Sequence, residues 1–125
     1  MDDNAFLRSG LKLPARSTKP RQKGLTAITD TGLPIAELAG ILEDYACYLD
    51  IAKLGIGSAA VATKLKDKLE LYRRFDVVPY FGGTLFEKYY QQGIVENYFD
   101  LLREFGVTWI EVSNGTIELP LETRL

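Results

Sequence analysis

Residues 49–83 read LDIAKLGIGSAAVATKLKDKLELYRRFDVVPYFGG, and this stretch decides the fold. An apolar run from Leu49 to Leu54 ends in a glycine-rich turn. Apolar residues at helical spacing follow from Thr63 to Phe75, and a second apolar run, Val77 to Phe81, leads to two glycines. Two strands joined by a helix predict a parallel pair, because parallel strands need a connection of this length.

The same alternation continues on both sides of this unit. Before it, Leu25 to Asp30 predicts a strand and Ile35 to Ala46 predicts a helix. After it, a helix in two pieces, broken at Gly93, precedes a fourth strand from Thr108 to Val112. The strands are almost continuously apolar, as strands covered on both faces are. We therefore predict an α/β domain with four parallel strands covered by helices.

The chain divides into an N-terminal basic arm, residues 1–24, and a domain, residues 25–125. Charged blocks stay in water as a rule, so we expect a solvated arm; the functional alternative is that one or two of its charges fold over an anionic substrate. Leu121 to Leu125 predicts the first turn of a fourth helix. The basic residues of the arm are Arg8, Lys12, Arg16, Lys19, Arg21 and Lys23.

Composition excludes several classes of function. The 125 residues suffice for one domain, and a net charge of -2 spread along the chain argues against nucleic-acid binding. The absence of histidine excludes histidine-dependent triads and histidine-ligated metals. No apolar run approaches the roughly 20 residues that span a bilayer. The start lacks a secretion signal, and the single cysteine suits a reducing compartment, so we expect a cytoplasmic protein with no membrane partner. Cys47 and Trp109 are expected in the core.

Polar residues or glycines stand at the carboxyl end of every predicted strand, and ligands bind at that end in parallel α/β folds. This clustering predicts a binding site there without naming its reaction. The candidate residues are Asp30, Lys53, Gly82, Gly83, Thr84, Glu111, Ser113 and Asn114.

Each candidate has a structural alternative. Asp30 suits a helix cap as well as a metal or substrate contact. Lys53 and Glu111 lie inside apolar strands, where a charge is costly without a partner, so they indicate either function or an ion pair. The Gly82-Gly83-Thr84 turn could receive a phosphate at a helix N-terminus, but Thr84 and Glu87 also match a capping box.

These motifs together resemble the phosphosulfolactate synthase family. The resemblance implies a (β/α)8 barrel of the TIM type, of which this chain supplies about the first half. It runs through most of the chain in order. The matching segments are Leu13-Pro14, Lys19-Pro20-Arg21, Gly24-Leu25-Thr26, Asp30-Thr31-Gly32, Asp50 to Ser58, Gly82 to Glu87 and Glu111 to Ile117.

The resemblance implies a lyase of coenzyme M biosynthesis that adds sulfite to phosphoenolpyruvate with the help of Mg²⁺. Asp30 and Glu111 would be the metal ligands, and Glu111 would also serve the reaction. Lys53 would offset charge on the substrate carboxylate or on sulfite.

The remaining candidates would bind the substrate. The resemblance implies that Gly82, Gly83 and Thr84 receive the phosphate, while Ser113 and Asn114 orient the substrate by hydrogen bonds.

The sequence departs from the family in two places. Gly55-Ile56-Gly57-Ser58 lacks the aromatic residue and the threonine that the synthases tend to carry there, and Asn114 replaces a frequent aspartate. The family also contains plant heat-stress-associated proteins, so the alternatives are a non-catalytic relative or a truncated, self-associating barrel half. Four strands leave open edges, and we expect a homo-oligomer.

Overall fold

A computed structural model of the protein describes residues 4–118. The helix predicted at Leu121 to Leu125 lies outside these residues. The described elements alternate as the sequence predicts. They are α1 Ala5–Arg8, β1 Ala27–Asp30, α2 Ile35–Tyr45, a 3-10 turn Ala46–Tyr48, β2 Ile51–Leu54, α3 Ser58–Val61, α4 Leu65–Arg74, β3 Val78–Phe81, α5 Gly83–Gln91 and α6 Val95–Glu104.

The three strands form one parallel sheet in the order β1-β2-β3. The register aligns Thr29 with Lys53 and Lys53 with Tyr80. Because side chains alternate between faces along a strand, these three residues share one face. The prediction of a parallel α/β fold is confirmed.

The fourth predicted strand, Thr108 to Val112, is reduced to one parallel bridge between Ile110 and Phe81. Among residues 4–118, the only strand beside this segment is β3, so the segment can form strand hydrogen bonds on one side only. Both Ile110 and Val112 remain partly exposed. The structure therefore shows three strands and a bridge, and it does not show a closed barrel.

The helices cover one face of the sheet, and the core lies between this face and the helices. Leu54 and Phe81 from the strands pack there with helical residues such as Leu38, Tyr72 and Tyr98. The predicted helix break is confirmed, since α5 and α6 are separated around Gly93, whose φ of 72° favours glycine.

The opposite face of the sheet carries no helix in the described part of the chain. Leu25, Ile51, Val78 and Trp109 line a recess of about 410 Å³ on this helix-free face. Trp109 is 42 % exposed and lies against Tyr80, so the expectation that it belongs to the core is wrong. A parallel sheet is normally covered on both faces, which leaves this surface without its usual layer.

The basic arm is docked in part, through Arg16, Lys19 and Arg21, whereas Lys12 and Lys23 are exposed as expected. Arg16 donates to the Thr26 hydroxyl and to the Tyr48 carbonyl. Lys19 donates to the carbonyls of residues 46 and 75. Arg21 forms a buried ion pair at 2.8 Å with Asp50 and also donates to the carbonyl of Cys47, whose side chain is exposed rather than in the core.

These contacts place the arm at the amino ends of the strands, away from the end that carries the candidate site. The alternative that its charges cover a substrate at the carboxyl ends gains no support from this position. In the part of the chain described, no helix has the length and apolar character needed to cross a membrane.

Candidate functional site

An ion pair between Lys53 and Glu111 forms the centre of the candidate site. Lys53 lies on the helix-free face at the carboxyl end of β2, and Glu111 follows the bridge at Ile110. The Lys53 ammonium lies 3.2 Å from Glu111 Oε2, and about a third of each side chain is exposed. The two opposite charges therefore meet at the rim and remain accessible to a small molecule.

Glycines allow the Lys53 side chain to lie across the strand ends. A Cβ at Gly82 would stand 3.2 Å from Cδ of Lys53 and 3.3 Å from the Gly55 Cα. At Gly55, a Cβ would stand 2.9 Å from a methyl carbon of Thr29. A side chain at either glycine would displace the lysine or the strand beside it. Because Gly55 and Gly82 have no Cβ atoms, the Lys53 ammonium can reach Glu111.

The second glycine of the turn packs against the other side of the site. A Cβ at Gly83 would stand 2.7 Å from Ser113 Cβ and 2.9 Å from Glu111 Oε1. Gly83 therefore gives Glu111 and Ser113 the space that they occupy. Close packing explains both glycines of this turn without a phosphate.

The predicted capping box is wrong. Gly82 occupies the N-cap of α5 without a side-chain hydrogen bond, and Thr84 lies inside the helix. The buried Glu87 instead accepts bonds from the Ser113 hydroxyl and from the backbone and hydroxyl of Thr116 at 2.5 and 2.7 Å. Glu87 thus ties the loop after Glu111 to α5.

The Glu87 carboxylate is charged and engages the loop that follows Glu111. Burial alone raises the pKa of Glu87, but the hydrogen bonds from Ser113, Thr116 and Gly115 outweigh it and lower the pKa below its ordinary value. Glu87 is therefore ionised at neutral pH. The Ser113 hydroxyl is engaged with this carboxylate, and Asn114 lies exposed in the same loop.

Asp30 lies on the other face of the sheet. The register aligns it with Leu54, whereas Lys53 pairs with Thr29. Its carboxylate is fully buried, with Tyr72 OH at 2.7 Å and Lys68 Nζ at 3.1 Å from Oδ2. The structure therefore does not bring Asp30 together with Glu111, and a metal ion shared by these two carboxylates has no support in this geometry.

The remaining bonds of Asp30 do not make it the cap of the following helix, since α2 has Pro34 at its N-cap and no side-chain hydrogen bond there. Oδ1 accepts the backbone N–H groups of Gly32 and Leu33 at 2.9 and 2.8 Å, so Asp30 stabilises the turn before α2. Burial alone raises the pKa of Asp30, but the hydrogen bonds from Tyr72, Leu33, Gly32 and Lys68 outweigh this effect and hold the pKa below its ordinary value. Asp30 is therefore a buried, ionised carboxylate.

The side chains near the Lys53–Glu111 pair supply few metal ligands. No group of three or more acidic or cysteine side chains able to hold a metal ion occurs within residues 4–118. Glu111 is one carboxylate, and Mg²⁺ is often bound by one or two carboxylates together with substrate oxygens and water. Glu111 suits Mg²⁺ in that mode only.

Sequence reasoning missed the partners that determine the geometry. Lys68 and Tyr72 stand four residues apart on α4, on one helical face, which was the only sequence signal that they might meet the same group. Thr116 gave no signal, because a loop threonine has many possible partners.

Comparison with known proteins gives a consistent result. The family model described as (2R)-phospho-3-sulfolactate synthase matches residues 14–125. The chain is 40 % identical over 113 residues to the phosphosulfolactate synthase of Methanothermobacter thermautotrophicus, covering 89 % of this chain and 44 % of that protein. The corresponding enzyme of Bacillus subtilis is 35 % identical over 109 residues, covering 87 % of this chain and 43 % of that protein.

A third relative, the phosphosulfolactate synthase of Methanocaldococcus jannaschii, is 33 % identical over 105 residues, with 82 % of this chain and 42 % of that protein covered. The chain thus spans less than half the length of the curated relatives it matches. The order of the motifs, the parallel sheet and the family match lead to one conclusion. The chain belongs to the (2R)-phospho-3-sulfolactate synthase family.

Proposed function

We propose that this chain carries part of the active site of a phosphosulfolactate synthase, a lyase that adds sulfite to phosphoenolpyruvate. The observation that carries the proposal is the accessible Lys53–Glu111 pair at the carboxyl end of the sheet. Parallel α/β enzymes bind their ligands at this end. The names of the relatives supply the reaction class, and the pair supplies charges that suit it.

The reaction joins the sulfur of sulfite to C3 of phosphoenolpyruvate and moves negative charge onto the substrate carboxylate, and a proton at C2 completes the addition. Lys53 would stabilise that charge, since an ammonium fixed beside a developing anion lowers the barrier. Its position across Gly55 and Gly82 holds it in place before the substrate arrives.

The first turn of α5 would receive the phosphate. No side chain caps this end, and backbone N–H groups at a helix N-terminus favour an anion. Gly82, Gly83 and Thr84 form this turn. Asn114 would orient the substrate by hydrogen bonds. Ser113 donates its one hydroxyl proton to Glu87, so it would act by holding the loop that carries Asn114.

Mg²⁺ would act as a Lewis acid on the substrate carboxylate when bound. Glu111 is the residue proposed to hold it, together with substrate oxygens. Asp30 is left out of this role because it lies on the opposite face of the sheet.

The proposal is tested by the loss of phosphoenolpyruvate in the presence of sulfite and Mg²⁺, with a sulfite-free reaction as the blank. We expect Lys53→Ala and Glu111→Gln each to lower kcat/KM by roughly 10²-fold, the usual cost of losing one preorganised electrostatic group. The matched controls are Lys66→Ala and Glu96→Gln, which remove exposed charges elsewhere.

Full turnover in both site variants would exclude the assignment of these two residues. A folded chain without any turnover would favour the two alternatives, a non-catalytic relative or a truncated, self-associating barrel half. Equal losses in the controls would show that net charge, rather than the ion pair, governs the rate.

We also infer that two copies of the chain associate through the amino-end part of the helix-free face, around Val78 and Trp109, and not through the rim that carries the Lys53–Glu111 pair. This face exposes Val78 and Trp109, which are 37 % and 42 % exposed, and a parallel sheet is normally covered there. We expect sedimentation equilibrium to show a dimer, and Val78→Lys to shift it towards monomer. The control is Val61→Lys, at an exposed valine of α3 outside this face. A monomer at every concentration, with Val78→Lys unchanged, would contradict the inference.

A further inference from the structure

A cleft of about 570 Å³ opens between the loops that follow β1 and β2, on the helix-covered side. Both loops leave the carboxyl ends of their strands, the end at which such folds bind ligands. None of the described residues that line the cleft is acidic. Its polar lining consists of Thr31, Ser58, Thr63, Lys64 and Lys68.

The two lysines share one side of the cleft. Lys64 immediately precedes α4 and Lys68 follows it by four residues, so both project from the same helical face. The charge of Lys68 is paired with Asp30, whereas no acidic residue among those that line the cleft offsets the charge of Lys64. An anion in the cleft would offset it. Lys64 is exposed, whereas Lys68 is only 5 % exposed.

Lys68 is held at the cleft wall by the Asp30 network. Its ammonium lies 3.1 Å from Asp30 Oδ2, and Tyr72 donates to the same oxygen. A lysine ammonium has three donors, and Asp30 lies at 0 % exposure behind it. The wall of the cleft therefore presents the exposed Lys64 ammonium and the hydroxyl groups of Thr31 and Thr63. The Lys68 ammonium is paired with the Asp30 carboxylate, and the Ser58 hydroxyl donates to the Asp30 carbonyl.

We propose that this cleft binds a small oxyanion of the phosphate class, either inorganic phosphate or the phosphate group of a monoester. The cleft is distinct from the Lys53–Glu111 pair, which lies on the opposite face of the sheet. Ammonium and hydroxyl donors are the groups that recognise phosphate oxygens. The proposal does not depend on the reaction at the other face.

The test is a titration of the full chain with inorganic phosphate at constant ionic strength, with chloride as the balancing anion, followed by backbone amide NMR. We expect saturable shifts at Thr31, Ser58 and Thr63. Lys64→Gln should weaken binding by roughly fivefold, as expected for one charge-assisted contact near solvent. Lys66→Gln, at an exposed lysine of the same helix that does not line the cleft, should leave it unchanged.

A parallel titration with methyl phosphate distinguishes the two sources, because tighter binding of the ester would indicate a monoester ligand. The proposal is overturned if neither anion gives saturable shifts at these amides. It is also overturned if Lys66→Gln weakens binding as much as Lys64→Gln, since the effect would then be general electrostatic attraction.

Discussion

Replacing Asp30 with alanine should cost about 3–5 kcal/mol of unfolding free energy, the range for breaking a buried ion pair on one side. The substitution leaves the buried ammonium of Lys68 without its carboxylate, and it removes the acceptor of the Tyr72 hydroxyl. Two backbone N–H groups before α2 also lose their acceptor. Urea unfolding at neutral pH measures the loss.

The matched control is Asp100→Ala. Asp100 pairs with Arg103 at 2.9 Å, but both side chains are about three-quarters exposed, so the change should stay within about 0.5 kcal/mol. Adding Lys68→Met to Asp30→Ala should restore part of the stability, because the unpaired buried charge is then gone. Equal effects of the Asp30 and Asp100 variants would contradict the buried network.

Acid should reduce the difference between the wild type and Asp30→Ala. The folded-state pKa of Asp30 lies below its ordinary value, so its contribution is complete above about pH 4 and is lost as pH falls through the lowered pKa. Urea unfolding repeated at falling pH should therefore show the two proteins converging. A constant difference throughout would indicate that the Asp30 charge contributes nothing.

Gly83→Ala should destabilise the protein by about 1–3 kcal/mol, the usual cost of overpacking, and should separate Glu111 from Lys53. The new methyl group would stand 2.7 Å from Ser113 Cβ and 2.9 Å from Glu111 Oε1. Ser113 cannot move away freely, since its hydroxyl donates to the buried Glu87. Urea unfolding measures the first effect, and NMR of the lysine ammonium environment measures the second.

Gly40→Ala provides the control for this substitution. Gly40 lies within α2, nothing stands within 4 Å of its added Cβ, and alanine favours a helix over glycine by up to about 1 kcal/mol. We expect unchanged or slightly raised stability. A Gly83→Ala protein as stable as the wild type would show that the loop after Glu111 adjusts without cost, which would contradict its tight attachment to α5.

Local patterns were enough to predict three strands and the helices α2, α4, α5 and α6, but not the four-residue helices α1 and α3. Apolar runs gave the three strands, and the break at Gly93 separated α5 from α6 as predicted. The prediction of a fourth strand was not confirmed, because an apolar run does not show whether the segment has neighbouring strands on both sides. The prediction that Trp109 lies in the core was wrong for the same reason, since no element of the described part of the chain packs over its exposed side.

The candidate site was only partly predictable, because it depends on register. Periodicity within β2 indicates that Lys53 differs in direction from Ala52 and Leu54. It does not indicate which residue of β1 aligns with Lys53, and that alignment places Asp30 on the opposite face. The docking of the arm escaped prediction as well, because its lysine and arginine side chains mostly bind backbone carbonyls, which leave no pattern in the sequence.

The docked arm has a consequence for the kinetics of folding. Neighbouring strand–helix units can form from contacts that are close in sequence, which favours fast steps. Lys19 instead bonds carbonyls that lie 27 and 56 residues further along the chain, one in each of two successive units. The arm can complete both bonds only once both units are in place, so its attachment reports on their joint assembly, and the bond to residue 75 closes a loop of 56 residues.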